Sequence, residues 1–160
     1  MLAGGAAVAL LGITGSACSS PPAPPAVDEL ESQLELARHD SELATAAAAA
    51  AADKPVSAAL AEVASERTQH AQALATEIAR LAVNNPTSSS TTTSPTTTTS
   101  AAAASPPSLA DVINSLRGSA ASASHLAMTS SGYRAGLLGS IAAACTASYS
   151  VALVFGGSAA

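Results

Sequence analysis

The chain of 160 residues has few aromatic and few basic side chains. It contains no tryptophan, one phenylalanine and two tyrosines, so a core must be built from leucine, isoleucine, valine and alanine. Much of the apolar content is alanine, which buries little area but has the highest helix propensity, so the composition predicts an all-α fold with a thin core. The six lysine and arginine residues form no cluster, and the net charge is −5. A nucleic-acid partner is therefore not expected, because phosphate binding requires a basic surface.

Cysteine is also scarce, with only Cys18 and Cys145 in the chain. Cys145 lies among alanines in an apolar segment, where a buried and unreactive thiol is the usual state. A nucleophilic cysteine would need a base beside it in a cleft, and no glycine-rich loop typical of phosphate binding is present. We therefore expect neither enzymatic activity nor a cofactor.

The first 17 residues have the pattern of a secretory signal peptide. The apolar run from Leu2 to Ile13 is too short to span a bilayer comfortably, and small residues follow it at Gly15, Ser16 and Ala17. No lysine or arginine precedes the run, so we expect that translation starts upstream of Met1.

Gly15-Ser16-Ala17-Cys18 resembles the bacterial lipobox, in which small residues precede a cysteine that is diacylated before cleavage. Gly15 departs from the aliphatic residue usual at that position. The resemblance implies a lipid anchor at Cys18 on the extracytoplasmic face of the cell membrane, with the proline-rich residues 18–26 as a tether. The alternative is ordinary cleavage after Ala17, which would leave Cys18 free or bonded to Cys145.

Residues 27–84 predict a first helical hairpin. Its break is expected at Asp53-Lys54-Pro55, where Asp53 can cap the second helix and proline is tolerated in the first turn. The two helices have apolar positions at three- and four-residue spacing. In the first helix one face holds Val27, Leu30, Leu34 and Ala37 together with Ser41, and in the second helix the apolar positions are Val56, Leu60, Val63, Leu74, Ile78 and Leu81. Arg67 and His70 fill the gap in the second stripe.

Residues 85–107 are rich in threonine, serine and proline, which predicts a disordered linker that cannot join a core. Residues 108–155 then predict a second helical hairpin, with Ser108 as the N-cap, Asp111 near the positive end of the helix and a break at residues 129–132. Its first helix has an apolar face formed by Leu109, Val112, Ile113, Leu116, Ala120 and Ala123.

The segment from Ala135 to the end of the chain contains no charged residue. It passes a crude test for a membrane span, but serine, threonine and glycine dilute its hydrophobicity. We favour a buried helix that completes a four-helix bundle, because three helices with modest apolar faces need a fourth to enclose them. A C-terminal transmembrane helix is the alternative.

Two stretches, SERTQHAQALATEIARLA (65–82) and SGYRAGLLGSIAAACTAS (131–148), together with the hairpin pattern, resemble the alanine-rich lipoproteins of mycobacteria and related actinobacteria. That resemblance covers most of the chain outside the threonine tract. It implies a ferritin-like four-helix bundle and an envelope location, and it implies no particular biochemical activity.

Ferritin-like bundles often hold two metal ions through glutamates and Glu-x-x-His motifs. This chain offers Glu35 with His39 and Glu66 with His70, each pair one residue too widely spaced, and its second hairpin adds only Asp111 and His125. A complete carboxylate site is therefore not expected. Glu66 and His70 are the best candidates for a metal ligand or a buried polar pair, and a structural role for His70 is favoured. A solvated face is expected for Glu35, Arg38, His39 and Glu42.

These observations predict a cell-envelope lipoprotein whose bundle, without catalysis, binds a protein partner or a small apolar ligand. The second hypothesis is a degenerate metal-binding or redox bundle that uses Glu66 and His70.

Overall fold

A computed structural model of the chain describes residues 27–84 and 105–156, and within them every regular element is helical. The four main helices are α1 (Val27–Ala50), α2 (Lys54–Asn84), α3 (Leu109–Thr129) and α4 (Gly132–Ala147). A π-helical turn (Ser148–Ala152) and the single turn α5 (Leu153–Gly156) continue α4. The predicted all-α four-helix bundle of two hairpins is confirmed. The expected signal peptide, Cys18, the tether and the linker as far as residue 104 lie outside the described residues.

The turn between α1 and α2 forms where the sequence predicts it. The backbone N–H of Val56 donates to the Asp53 carboxylate at 3.3 Å, and the N–H of Ser57 donates to the Asp53 carbonyl at 2.9 Å. The Ser57 hydroxyl also donates to the Ala48 carbonyl at 2.8 Å, which joins the two helices across the turn. Asp53 therefore satisfies N–H groups that the first turn of α2 would otherwise leave without partners.

Both ends of α3 are fixed by serine side chains. Ser108 accepts from the Asp111 N–H, and the Asp111 carboxylate accepts from the Ser108 N–H at 2.8 Å, which completes a capping box. At the other end the Ser130 hydroxyl donates to the Leu126 carbonyl at 2.7 Å. The chain then reverses at Gly132, whose φ of +58° lies in the left-handed region that favours glycine.

The core lies along the centre of the bundle and consists of leucine, alanine, valine and isoleucine from all four helices. α1 packs between α2 and α3, α3 packs on α4, and α5 returns to α2. The largest apolar side chains with less than 2% exposure are Leu30, Leu60, Leu74, Leu116, Leu138, Ile141, Leu153, Val112 and Cys145. The predicted apolar stripes of α1, α2 and α3 therefore face the core.

α1 runs antiparallel to both α2 and α3. Gln33 near the start of α1 donates to Ser122 near the end of α3 at 2.6 Å, whereas Asp40 further along α1 meets Ser115, which precedes Ser122. One end of the bundle is thus formed by the start of α1, the end of α2 and the turn between α3 and α4. We call this end the N-terminal end.

α4 joins the bundle through one face only. It contributes Leu138, Ile141, Ala142 and Cys145 to the core, while much of its other surface is exposed. The helical stretch Gly132–Ala152 has a mean hydropathy of 1.4 and is long and apolar enough to cross a membrane, and 22% of its most apolar window is buried. α4 is thus less enclosed than the sequence led us to expect, because only α3 and the short C-terminal turns pack closely against it.

The π-helical turn changes which residues of the C-terminal segment face the core. Cys145 and Ser148 are buried at the usual three-residue spacing, but the next buried residue is Leu153, five positions later. A π-helical turn is wider than an α-helical turn, so it shifts the register of the residues that follow it. Leu153 reaches the core for this reason.

Candidate functional site

The centre of the bundle contains a buried ion pair between α1 and α2. Asp40 is 0% exposed and Arg67 is 2% exposed. The Arg67 guanidinium donates a hydrogen bond through Nε at 3.0 Å to Oδ2 of Asp40, and its Nη2 lies 2.9 Å from the same oxygen as an ion-pair contact. Charges this deeply buried are tolerated only when their partners are close and well oriented.

α3 completes the hydrogen bonding of the buried carboxylate. Ser115 donates its hydroxyl to Oδ1 of Asp40, and Ser119, one turn later, donates to Oδ2 at 2.7 Å. The carboxylate therefore accepts three hydrogen bonds from two other helices, in addition to the ion-pair contact with Nη2 of Arg67. This saturation gives Asp40 a structural role, since a metal ion or a substrate would have to displace one of these donors.

His70 lies one turn after Arg67 and is half-buried. Nη1 of Arg67 is 3.2 Å from Nδ1 of His70, and because a guanidinium only donates hydrogen bonds, Nδ1 is the acceptor and the ring proton is on Nε2. Burial and the neighbouring Arg67 charge lower the pKa of His70, and Glu66 partly opposes them. The imidazole is therefore neutral at pH 7, which is also the protonation state of a histidine that binds a metal ion.

Glu66 and His70 occupy neighbouring turns of α2 as the sequence indicates, but each has a different partner. Oε2 of Glu66 accepts from the Ser148 hydroxyl at 2.9 Å, which joins α2 to the π-helical turn. Within residues 27–84 and 105–156, no group of three or more His, Cys, Asp or Glu side chains could hold a metal ion. In the second hairpin, Asp111 caps α3 and His125 is exposed.

Cys145 packs at the edge of this buried cluster with a free thiol. Burial raises the pKa of the Cys145 thiol to about 11, with the Asp40 and Glu66 charges adding to the effect and Arg67 opposing it. The thiol is protonated at neutral pH, which is the unreactive state that the sequence predicts.

A second buried carboxylate lies nearer the N-terminal end. Glu77 is 1% exposed and accepts two hydrogen bonds of 2.7 Å from Arg80, while Nε of Arg134 on α4 lies 4.0 Å away. The hydrogen bonds from Arg80, together with the charge of Arg134, hold the pKa of Glu77 below its usual value. Glu77 thereby connects α2 to the start of α4.

An open groove of about 870 Å³ lies between the outer surfaces of α3 and α4. Six alanines of α3 and α4 line it together with small polar side chains, with Arg117 and Met128 at its two ends and Gly139 on α4. The Arg117 guanidinium lies 5.3 Å from the centre of the Tyr149 ring, a geometry typical of a cation–π contact. The groove therefore has an apolar floor and one cationic end.

The outer face of α1 is polar and solvated, as predicted. The side chains of Glu35, Arg38, His39 and Glu42 are all exposed, and Arg38 donates to Glu35 at 2.7 Å along the helix. An ion pair this exposed contributes little to stability.

Asp40 and its serine partners were not identified from the sequence. A signal was nevertheless present, because Asp40 lies three residues after Ala37 and four before Ala44 on the buried stripe of α1. Ser115 and Ser119 are likewise spaced by four residues on the inner side of α3. A carboxylate on an apolar stripe, with an arginine on the neighbouring stripe, is the pattern of a buried ion pair.

Comparison with known proteins returned nothing for this chain: no family model, no curated protein and no solved structure matches it.

The buried ion pair predicts a non-additive response to mutation. Arg67→Met leaves the Asp40 charge uncompensated in the core and should lower the free energy of unfolding by about 3 to 5 kcal/mol, as for other broken buried pairs. The double variant Asp40→Leu with Arg67→Met removes both charges and should recover most of that loss. Urea unfolding followed by circular dichroism measures each value.

Arg38→Met is the matched control, because it removes an arginine from an exposed pair and should cost less than about 1 kcal/mol. A double variant as unstable as the sum of its single variants would contradict the structural role assigned to the pair.

The lowered pKa of His70 predicts that the protein loses stability under mild acid. Because the unfolded chain binds a proton near the ordinary pKa of 6.5 and the folded chain does so only at lower pH, stability is fully present above pH 6.5 and falls as the pH decreases below it. His70→Gln should flatten the stability curve below about pH 6.5. The control His125→Gln changes an exposed histidine and should leave the slope of stability against pH unchanged. Equal slopes in the wild type and in His70→Gln would refute the assignment of this pH dependence to His70.

Proposed function

We propose that the chain is a lipoprotein of the bacterial cell envelope, anchored through acylated Cys18 at the extracytoplasmic face of the membrane. Its helical bundle binds a protein partner and performs no catalysis. The anchor is supported by Ser16, Ala17 and Cys18 after an apolar run, and by the proline-rich residues before α1. The resemblance to alanine-rich actinobacterial lipoproteins supports the same location.

The observation that carries the binding function is the groove between α3 and α4. Its length along α3, from Arg117 to Met128, is about 16 Å at 1.5 Å per residue, which matches about three turns of a partner helix. Small side chains on the floor let another helix approach closely, and bulky apolar side chains of that helix would fill the space above the alanines. Arg117 at one end favours a partner with an acidic residue there.

A non-catalytic role is supported by how the polar groups of the interior are used. Asp40 accepts three hydrogen bonds, Nδ1 of His70 accepts from Arg67, and the thiol of Cys145 has a pKa of about 11. An acid, base or nucleophile needs a free atom within reach of a substrate. Asp40 instead joins α1 to α2 and α3 through its donors.

A small apolar ligand is a weaker proposal than a partner helix. Sites for small molecules enclose most of the ligand surface. The groove lies open along the outside of two helices, so it would cover only one side of such a ligand. The shape therefore favours an extended partner.

A membrane protein with a C-terminal transmembrane helix is the second candidate, and the limited burial of Gly132–Ala152 favours it. Against it, Leu138, Ile141 and Cys145 pack in the core, and Ser148 is bonded to Glu66. Insertion of the segment would break these contacts and would leave the apolar stripe of α3 without its partner.

The lipid anchor predicts how the protein partitions. When it is expressed in an actinobacterial host with its N-terminal signal region intact, the wild type should enter the detergent phase and its N-terminal peptide should begin at Cys18 with an added acyl mass. Cys18→Ala should abolish both properties, with Cys145→Ala as the cysteine control that keeps them. A Cys18→Ala protein that stays in the membrane would favour the C-terminal span, and a soluble wild type without added mass would favour ordinary secretion.

The groove predicts a position-specific partner contact. A photo-cross-linking residue at Ala121, which is exposed in the groove, should give one discrete protein adduct in intact cells. The same residue at Ala61, exposed on α2 outside the groove, should give none, and Arg117→Glu should weaken the Ala121 adduct about tenfold or more by reversing a charge at the contact. Equal adducts at both positions, or an adduct of lipid mass at Ala121, would contradict a protein partner in the groove.

A further inference from the structure

The exposed apolar side chains of the bundle are unevenly placed. Among the described residues, the three most exposed large apolar side chains are Val83 at 81%, Met128 at 74% and Tyr133 at 67%. Val83 lies at the end of α2, Met128 at the end of α3 and Tyr133 at the start of α4. All three therefore lie at the N-terminal end of the bundle, although they come from different helices.

The N-terminal end is also where the chain segment from Cys18 enters the bundle. α1 begins at Val27, so the nine residues 18–26, which include the expected anchor Cys18 itself, precede the first helical turn. Even fully extended, nine residues cover only about 30 Å, at 3.3 to 3.6 Å per residue. A lipid on Cys18 would therefore keep this end close to the membrane surface.

The same length limit excludes an inverted bundle. α1 has 24 residues and is about 36 Å long, at 1.5 Å per residue. If the opposite end rested on the membrane, Val27 would stand about 36 Å above the surface, which is more than the nine residues can reach. An upright or a tilted bundle remains within reach.

The charges at the N-terminal end are mixed. Arg80 and Arg134 lie near Tyr133, but Glu77 compensates them, and Asp28 and Glu29 occupy the first turn of α1. Attraction to anionic lipids is therefore weak, and contact with a bilayer would depend on the apolar side chains. Tyrosine suits such a contact because its ring is apolar and its hydroxyl is polar.

We infer that the N-terminal end of the bundle rests on the lipid bilayer, with Val83, Met128 and Tyr133 in the interfacial region. This inference depends on the proposed anchor at Cys18, because a single exposed tyrosine with two aliphatic side chains would not hold the protein on a membrane alone. The acyl chains supply the attachment, and the three side chains set the orientation. The groove between α3 and α4 then stands roughly perpendicular to the membrane and faces sideways into the envelope.

The absence of tryptophan from the chain allows a direct test. Tyr133→Trp places a single tryptophan at the N-terminal end, and Val151→Trp places one at an exposed position of the π-helical turn near the opposite end. Each acylated full-length variant is reconstituted in phosphatidylcholine vesicles with either ordinary or brominated acyl chains. Bromine quenches only those tryptophans that lie close to the acyl chains.

We expect the tryptophan at position 133 to emit at shorter wavelength on vesicles than in solution and to lose much of its fluorescence with brominated lipid. The tryptophan at position 151 should show neither change. Replacing a quarter of the phosphatidylcholine with anionic phosphatidylglycerol should leave both results unchanged, because the contact is apolar.

The outcomes separate this inference from the proposed anchor. If the Cys18 peptide carries acyl mass and the vesicles retain the protein, but position 133 is not quenched, the anchor stands and the orientation is wrong. Quenching at both positions would mean that the bundle lies flat, and it would also overturn the orientation. A Cys18 peptide without acyl mass would overturn both proposals. Circular dichroism of the two variants verifies that each substitution, made at an exposed site, keeps the helical fold.

Discussion

The buried pair of Asp40 and Arg67 is the constraint on which the arrangement of the helices depends. An isolated charge in this core would cost several kcal/mol, so both side chains must find their partners at the same time. Arg67 on α2 supplies one hydrogen bond and an ion-pair contact to the Asp40 carboxylate, and Ser115 and Ser119 on α3 supply two more hydrogen bonds. If α1 shifted along α2 or α3, the Asp40 carboxylate would lose at least one of its donors. Alanine side chains are small and alike, so their packing in the core does not select one alignment of the helices. We hypothesise that the contact between Asp40 and Arg67 specifies the register of α1 relative to its neighbours.

Alignment at Asp40 also determines the surfaces that the bundle presents. With α1 between α2 and α3, the second hairpin joins the first mainly through α3, and α4 is left with one covered face. The Ser148 to Glu66 bond and the buried Leu153 close the remaining side of the core against α2. The same arrangement leaves the groove between α3 and α4, with its floor of small side chains, on the outer surface of the bundle.

The sequence predicts the helices well because their ends have local signals. Asp53, Ser108 and Gly132 act through contacts within a few residues, so their roles can be predicted from the neighbouring residues in the sequence. Asp40 was missed because its partners lie 27 or more positions away, and beside Glu35, Arg38 and Glu42 it resembles another solvated charge. The extent to which α4 is covered also depends on distant helices. His70 was found as a polar residue on an apolar stripe and Glu66 as its neighbour one turn away, but their separate partners could be identified only in three dimensions.

The two hairpins differ in charge, and this difference distinguishes the outer face of α1 from the face that contains the groove. Residues 27–84 hold ten acidic and four basic residues, a net charge of −6, whereas residues 105–156 hold one acidic and two basic residues, a net charge of +1. An acidic partner would therefore be repelled by the first hairpin more strongly than by the second. The charge distribution favours its approach to the face of α3 and α4, where Arg117 lies at one end of the groove.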